Sequence, residues 1–472
     1  MNLIKPKLLD DACIIDTKLN LDARTWNWHR SKDKESNNRT SANYYEASLN
    51  EWDNFAPLTT DRQCDIVVIG GGLLGASTAL HLAEAGLDVV LVEKDNIGSA
   101  ASGRNGGQLT PGLARWEATD MIANLSIDEA KRLWRFSSIE AIEMINDIAT
   151  RYSLDLDIRH GHITAAVHSG HMNSLIESAD ARRHLGDDKI KIVGAYELDQ
   201  YIKSQIYHGA TIDDLGGQIH PLALLRTLIY GAVENGASIY EFTKALDIQQ
   251  TPSCAIITTE EGIITAKKGV VVAVHNTTFQ FLSGVTGTTV PFYTYVGVTP
   301  PLRIDIKTLL PTDMAVYDTQ FQIDYYRAVR SNRLLFGGQG TGTSWSPKKI
   351  NDYLLERIGT VFPQLGQTEL EYSWSGISDF TLNGATDCRK IGDNIPTYLV
   401  HGWSGHGVAQ TVRIGKAISD DIMGENDDFS MLTRIEHMNI PLGRQLSPMA
   451  IPLVKAAVGI SNTVNPSKLV SF

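Results

Sequence analysis

At 472 residues the chain is longer than one compact core usually serves, so two intertwined domains are expected. The net charge of −12, with 42 basic against 54 acidic residues, argues against nucleic acid as a general partner, and the composition is that of an ordinary globular protein. Cys13, Cys64, Cys254 and Cys388 lack the paired spacing of metal sites or disulfide frameworks, so no metal is expected and a reducing, cytoplasmic setting fits.

Residues 1–43 read as a polar N-terminal extension, with the run Arg30–Arg39 as an exposed linker. Lys5, Lys7, Asp10 and Asp11 break up its only apolar cluster, so it does not read as an export signal. Trp26 and Trp28 are candidates to anchor the extension to the body or to a protein partner. An aromatic-rich segment, Tyr44 to Leu58, leads into the first strand.

That strand, from Asp65 to Ile69, runs straight into Gly70-x-Gly72-x-x-Gly75, after which Ala76, Leu80, Ala83 and Leu87 recur at helical spacing. A second strand, Asp88–Val92, ends in Glu93, 23 residues after Gly70. This is the dinucleotide fingerprint: Gly70 permits a tight turn, Gly72 lets backbone approach a pyrophosphate, and Gly75 lets helix close on strand. Backbone N–H groups at the helix start, from Leu73 and Leu74, face the anion, and Glu93 accepts from a ribose. An acid at that strand end argues against a 2′-phosphate, so the ligand is FAD or NAD rather than NADP.

Next comes a cluster of small residues carrying one Arg and one Asn, Gly98 to Gln108, which lets backbone come close to a flat, charged ligand. Helical periodicity is expected from about 127 to 151. A helix with proline at its start opens at Pro221, a strand follows at Ser238–Phe242, and Lys267 to Val274 reads as a buried parallel strand. No apolar run approaches the roughly 20 residues needed to span a bilayer. From about 289 to 375 the pattern alternates and aromatics concentrate. Near the end, Tyr398 to Gln410 reads as a strand, a glycine turn and a helix start; His406, between two glycines, is read as structural or ligand-contacting rather than as a base. The apolar stretch Leu446–Ile460 contains Pro448 and Pro452, which should interrupt a helix, and is expected to lie on the protein's own flank.

The sequence Ser99-Ala100-Ala101-Ser102-Gly103-Arg104-Asn105-Gly106-Gly107-Gln108 resembles the FAD-dependent amine and D-amino-acid oxidase superfamily, and within it the gamma-glutamylputrescine oxidase-like flavoproteins. Further likeness lies in Tyr44-Tyr45-x-Ala47-Ser48, Gly216 to Pro221, Tyr325-Tyr326-Arg327, Arg333 to Gly338 and Ser404 to Val408. The resemblance covers residues 44 to 460. It implies FAD, and oxidation of an amine's C–N bond to an imine that water hydrolyses, by hydride transfer to flavin N5. Oxygen is the expected acceptor, with a quinone or protein acceptor, or a flavin-containing partner of another protein, as alternatives. It further implies cofactor contacts by Lys94, Ser102, Gly103, Arg104, Asn105, Gly106, Gly107, Gln108, Leu246, Asn276, Gly405, His406, Gly407 and Val408. Tyr293, Tyr295, Tyr326, Trp374 and Trp403 are the candidates for a substrate pocket, and Tyr325 and Trp345 belong to the same aromatic set, in which core packing is the stronger reading for any one of the strand aromatics. No catalytic acid or base is nominated.

The sequence also departs from the pattern of its relatives. Ser373-Trp374-Ser375-Gly376 stands where an Arg-Trp-x-Gly is common, which removes a positive charge. The flavin-linking cysteine of sarcosine oxidase falls near Phe380, and Cys388 lies too far along to replace it, so FAD is expected to be noncovalent. The oxygen-activating lysine of sarcosine oxidase falls at Leu335, where nearer relatives that use oxygen also have leucine, so oxidase activity stays open.

The expected fold is α/β, with a Rossmann-like FAD-binding domain from 61–152, 211–288 and 376–430. A mixed, largely antiparallel substrate domain is expected from 153–210 and 289–375, with 431–472 as a C-terminal segment.

Overall fold

A computed structural model describes residues 3–10, 43–275, 287–392, 394–440 and 443–465. Trp26, Trp28, Cys13 and Asn276 lie outside the described residues.

Two sheets organise the molecule. In the first, strands run in the order 387–391, 397–401, 263–272, 62–69, 89–92, 238–240. The four central strands and 238–240 are mutually parallel, paired for example through Val67↔Val270 and Val67↔Val90. Alternation sorts their apolar residues to two faces. Ile66, Val68, Val89 and Leu91 turn to one core, while Val67, Ile69, Val90 and Val92 turn to another. The helices Leu73–Glu84, Pro221–Glu234 and Gly407–Met423 cover the first face. Antiparallel strands Ala245–Gln250 and Ala255–Thr259 extend the sheet and contribute Ala245, Ala255 and Ile257 to the second.

Close helix contact depends on small residues. A Cβ on Gly415 would lie 2.7 Å from the Ser77 side chain, and Ser77 Oγ donates to Val412 O at 2.7 Å.

The second sheet is mostly antiparallel, in the order 372–381, 289–298, 333–341, 324–329, 315–318, 159–165, 209–218, 108–109. The molecule is therefore an α/β protein with a Rossmann-like sheet beside a mixed, largely antiparallel one. The chain crosses between the sheets at points other than the expected boundaries. Gly209–Gln218 and Tyr372–Thr381 lie wholly in the second sheet, so the boundaries at 211 and 376 fall inside strands.

The C-terminal stretch also differs from expectation, because Gly443–Val464 is one helix with Pro448 and Pro452 inside it. A proline removes a single donor from the ladder, and the turns on either side can still close. The helix packs against the 289–298 and 333–341 strands. No helix among the described residues is long and apolar enough to cross a membrane.

Candidate cofactor and substrate cavity

A cavity of about 470 Å³ opens beyond the carboxyl ends of the parallel strands, at Ile69, Val92 and Val400, and continues beneath the second sheet. Of the expected cofactor residues, Gly70, Gly72, Leu73, Leu74, Glu93 and Lys94 line it at one end. Ser102, Arg104, Asn105, Gly106, Gly107 and Gln108 line its middle, and Gly405, His406, Gly407 and Val408 lie on the wall opposite.

The turn at Gly70 has φ +109°, and a Cβ there would lie 2.6 Å from Ala273 O. Gly75 does not line the cavity; its missing Cβ would lie 2.0 Å from Gly70 O, so glycine here lets the helix rest on the turn. Glu93 accepts N–H groups from Gly71 at 2.7 Å and Asp95 at 3.0 Å. Ser102 Oγ accepts the Leu73 N–H at 3.0 Å, which ties the helix start to the glycine-rich loop.

That loop is held from several sides. Asn105 Nδ2 donates to the carbonyls of Ala101 and Ser102, and its Oδ1 accepts from Gly107 N at 2.8 Å. Asn43 Nδ2 donates to Gly103 O at 2.7 Å, and Tyr45 donates its hydroxyl to Asn105 O at 2.8 Å. The aromatic segment before the first strand is thus a clamp on the loop. Fully buried Arg327 donates to Gly106 O, Ile219 O, Gln218 Oε1 and the Tyr45 hydroxyl. Gly103 does not line the cavity; it supports the loop where a Cβ would lie 2.1 Å from Gly98 O.

Of the five expected pocket aromatics, Trp403 lines the cavity and the other four do not. Strand alternation explains three of them. Val290, Phe292 and Thr294 face the cavity, paired with Phe380, Ser378 and Gly376. Tyr293 and Tyr295, one residue out of step, face the opposite core. Tyr295 stacks on Trp345 at 4.9 Å and hydrogen-bonds Thr341 Oγ1. Likewise Tyr325 lines the cavity, while Tyr326 turns away, stacks on Phe336 and donates to Tyr207. Trp374 shares the face of Gly376 but is covered by the loop, its Nε1 donating to Arg104 O at 2.9 Å. Near Leu246, where the chain is expected to approach the cofactor through its backbone, Thr243, Lys244 and Ala245 line the cavity and the Leu246 side chain is exposed.

Several wall residues carry no signal at the level of sequence. Tyr317 lies between two imidazoles, with ring centroids 4.6 Å from His162 and 5.8 Å from His406. Burial, helped by the charge of Arg115, lowers the pKa of His406 to about 4, and burial lowers that of His162 to about 3. Both rings are therefore neutral near pH 7. Burial raises the Tyr317 hydroxyl to about 12. Arg115 also lines the cavity, as do Ala450, Ile451, Val454 and Lys455 from the C-terminal helix. Asp379, fully buried beneath Trp403, accepts N–H groups from Gly402 at 3.1 Å and Trp403 at 3.3 Å and lies 2.7 Å from His275 Nε2. It fixes the turn that opens the Gly407–Met423 helix. Phe380 lines the cavity and Cys388 does not.

Comparison with known proteins agrees with this architecture. The chain is 32% identical over 407 residues to "Gamma-glutamylputrescine oxidoreductase" of Escherichia coli (strain K12), covering 86% of this chain and 94% of that protein. Two solved structures share its fold. Glycine oxidase from Geobacillus kaustophilus has a TM-score of 0.65 at 21% identity and covers 79% of this chain and 100% of that one. L-proline dehydrogenase from P. horikoshii has a TM-score of 0.65 at 18% identity and covers 79% and 96%. Residues 65–420 match the DAO family, described as FAD dependent oxidoreductase. With that match spanning both sheets and the cavity between them, the chain belongs to the DAO family and is an FAD-dependent oxidoreductase.

Proposed function

We propose that the chain oxidises the C–N bond of a small amine, a polyamine derivative or an amino acid, to an imine that water then hydrolyses, with oxygen as the acceptor. The observation that carries this reading is the continuous cavity from the Gly70–Gly75 turn to the apolar wall of Val290, Phe292 and Phe380. The E. coli relative's name supports an amine as substrate.

The residues along the cavity fit FAD. Side chains are absent at Gly70, Gly72 and Gly107, where a Cβ would lie within 3 Å of neighbouring atoms. Two helices, Leu73–Glu84 and Gly407–Met423, begin at the cavity wall, and neither has a side-chain cap of its own. Their positive ends suit a pyrophosphate and an electron-rich ring. Gly72, Leu73 and Leu74 would hold the pyrophosphate, Glu93 the ribose, and Arg104 to Gln108 with Gly405 to Val408 the ring system. When bound, FAD supplies the two-electron acceptor for hydride from the amine-bearing carbon, in our reading through N5.

The chain's own residues position the amine and exclude water. Val290, Phe292, Phe380 and Tyr325 form a dry wall that favours an unprotonated amine. His406 Nδ1 lies 3.2 Å from Ser404 O and so carries the ring proton. Tyr317 keeps its hydroxyl proton and is a donor at the same wall. With the amine already neutral, no side chain is required to act as a base.

The test is anaerobic mixing of the FAD-loaded protein with polyamines, γ-glutamylated amines and amino acids while the visible spectrum is recorded. Bleaching of the oxidised-flavin band by one class supports the reading and identifies the substrate. Rapid return of the band in air supports oxygen as acceptor, whereas slow return favours a quinone or protein acceptor. No bleaching by any amine overturns it.

A further inference from the structure

The helix Gly443–Val464 lies beyond residues 65–420, the part matched to the family, yet it closes one side of the cavity. Unlike an ordinary surface helix it is apolar outside as well as inside, where Ile451 and Val458 face the protein. Leu446, Met449, Leu453 and Ile460 are exposed, while Lys455 points inward to the wall and donates to Gln339 Oε1. Lys455 has no carboxylate partner among the described residues, and the other charge acting on it is that of Lys349, a second cation. Burial lowers its pKa to about 8.

Lys455 also stands at a junction. A second, more open hollow of about 550 Å³ lies between this helix, His171 and the Thr319–Gln322 segment. The two cavities share four wall residues, Phe321, Gln322, Gln339 and Lys455. The two cavities therefore meet at these side chains. A partly buried ammonium whose hydrogen bond among the described residues is to a neutral amide is costly to desolvate, and an incoming anion would offset that cost.

We propose that Lys455, with Gln339 and Gln322, forms a carboxylate subsite that holds the acidic end of the substrate at the junction of the two cavities. The substrate class is then an amine whose nitrogen lies several bonds from a carboxylate, with the amine end extending past Phe321 into the inner cavity. This rests on the amine-oxidation reading above. It assigns specificity to a helix outside the matched family region, so relatives lacking this lysine would prefer other amines.

The experiment titrates the full-length, FAD-loaded protein by calorimetry with N-butylglutaramic acid, a carboxylate with no oxidisable amine, and with its uncharged methyl ester. In Lys455→Gln the acid is expected to bind about tenfold more weakly or worse, as loss of a charge-assisted hydrogen bond predicts. Lys455→Arg should restore most of that affinity, and the ester should bind all three proteins alike. In steady state with a carboxylate-bearing amine, Lys455→Gln should raise KM and leave kcat nearly unchanged. Equal affinity of wild type and Lys455→Gln for the acid overturns the subsite, as does an equal loss for acid and ester. Lysine-dependent binding of the acid in a protein that oxidises no amine would retain the subsite and overturn the amine reading.

Discussion

Gly75 is the position where one added carbon is least tolerable. Its Cβ would fall 2.0 Å from the Gly70 carbonyl, which is backbone and cannot swing aside. Gly75→Ala should therefore lift the helix off the turn, at a cost of roughly 1–3 kcal/mol, and weaken FAD binding more than it weakens the fold. Urea unfolding of the apoprotein, set beside calorimetric titration with FAD, separates the two effects. Glu241 gives a second prediction, with a pH signature. It is buried and accepts N–H groups from Phe55 at 2.6 Å and Ile97 at 2.5 Å, yet burial outweighs these bonds and raises its pKa from 4.5 to about 7. The folded state thus holds the proton more tightly than the unfolded one. The stability this contributes is fully present below pH 4.5 and is lost as pH rises through about 7. Against Glu241→Gln, which cannot titrate, wild type should lose roughly 1–3 kcal/mol of relative stability across that window, read from urea unfolding at successive pH values.

At the scale of elements, the glycine-rich loop is a short piece of irregular backbone that owes its shape to its neighbours. Arg327, on the Asp324–Val329 strand, reaches across to the loop at Gly106 and to the chain at Ile219, so one guanidinium joins parts of the chain far apart in sequence. Arg327→Met keeps the volume and removes the donors, leaving buried carbonyls unpaired, and should cost roughly 2–4 kcal/mol. The accompanying loss of FAD affinity should exceed that of a substitution of similar cost in the far core, such as Ile358→Ala, measured by FAD titration. The Gly443–Val464 helix is the opposite case, an element that covers the cavity without building either sheet. Truncation after Ile440 should leave far-ultraviolet circular dichroism close to that of the intact protein apart from this helix. Iodide quenching of flavin fluorescence should rise, because water and ions gain access to the cavity.

For the whole molecule, the question is whether two sheets make two folding units. The largest core holds Val68 and Leu91 of the parallel sheet together with Val296, Leu335 and Trp374 of the antiparallel one. A shared core of this kind couples the two, so the apoprotein should unfold in a single transition, with circular dichroism and tryptophan fluorescence coincident. FAD, bound across both, should shift that whole transition upward, by about 2.7 kcal/mol at a concentration 100 times its Kd. Two separable transitions, with FAD moving one of them, would mean that the sheets fold independently.

The sequence by itself determined the parts of this protein governed by neighbours along the chain. The strand, glycine turn, helix and terminal Glu93 are local, and each needs residue types at a spacing that the chain displays openly. The Gly98–Gln108 loop and the Ser404–Val408 turn were legible for the same reason. The tertiary structure decided what depends on strand parity and long-range packing. Tyr293 and Tyr326 looked like pocket residues by composition, but which side of a strand faces the cavity is set by register with other strands, and they face away. Arg327 stands in a motif of family likeness that does not show its role, and Asp379 and Lys455 carry no local pattern. Each acts on groups distant in sequence, and burial and direction, which exist only once the chain is folded, give them their roles.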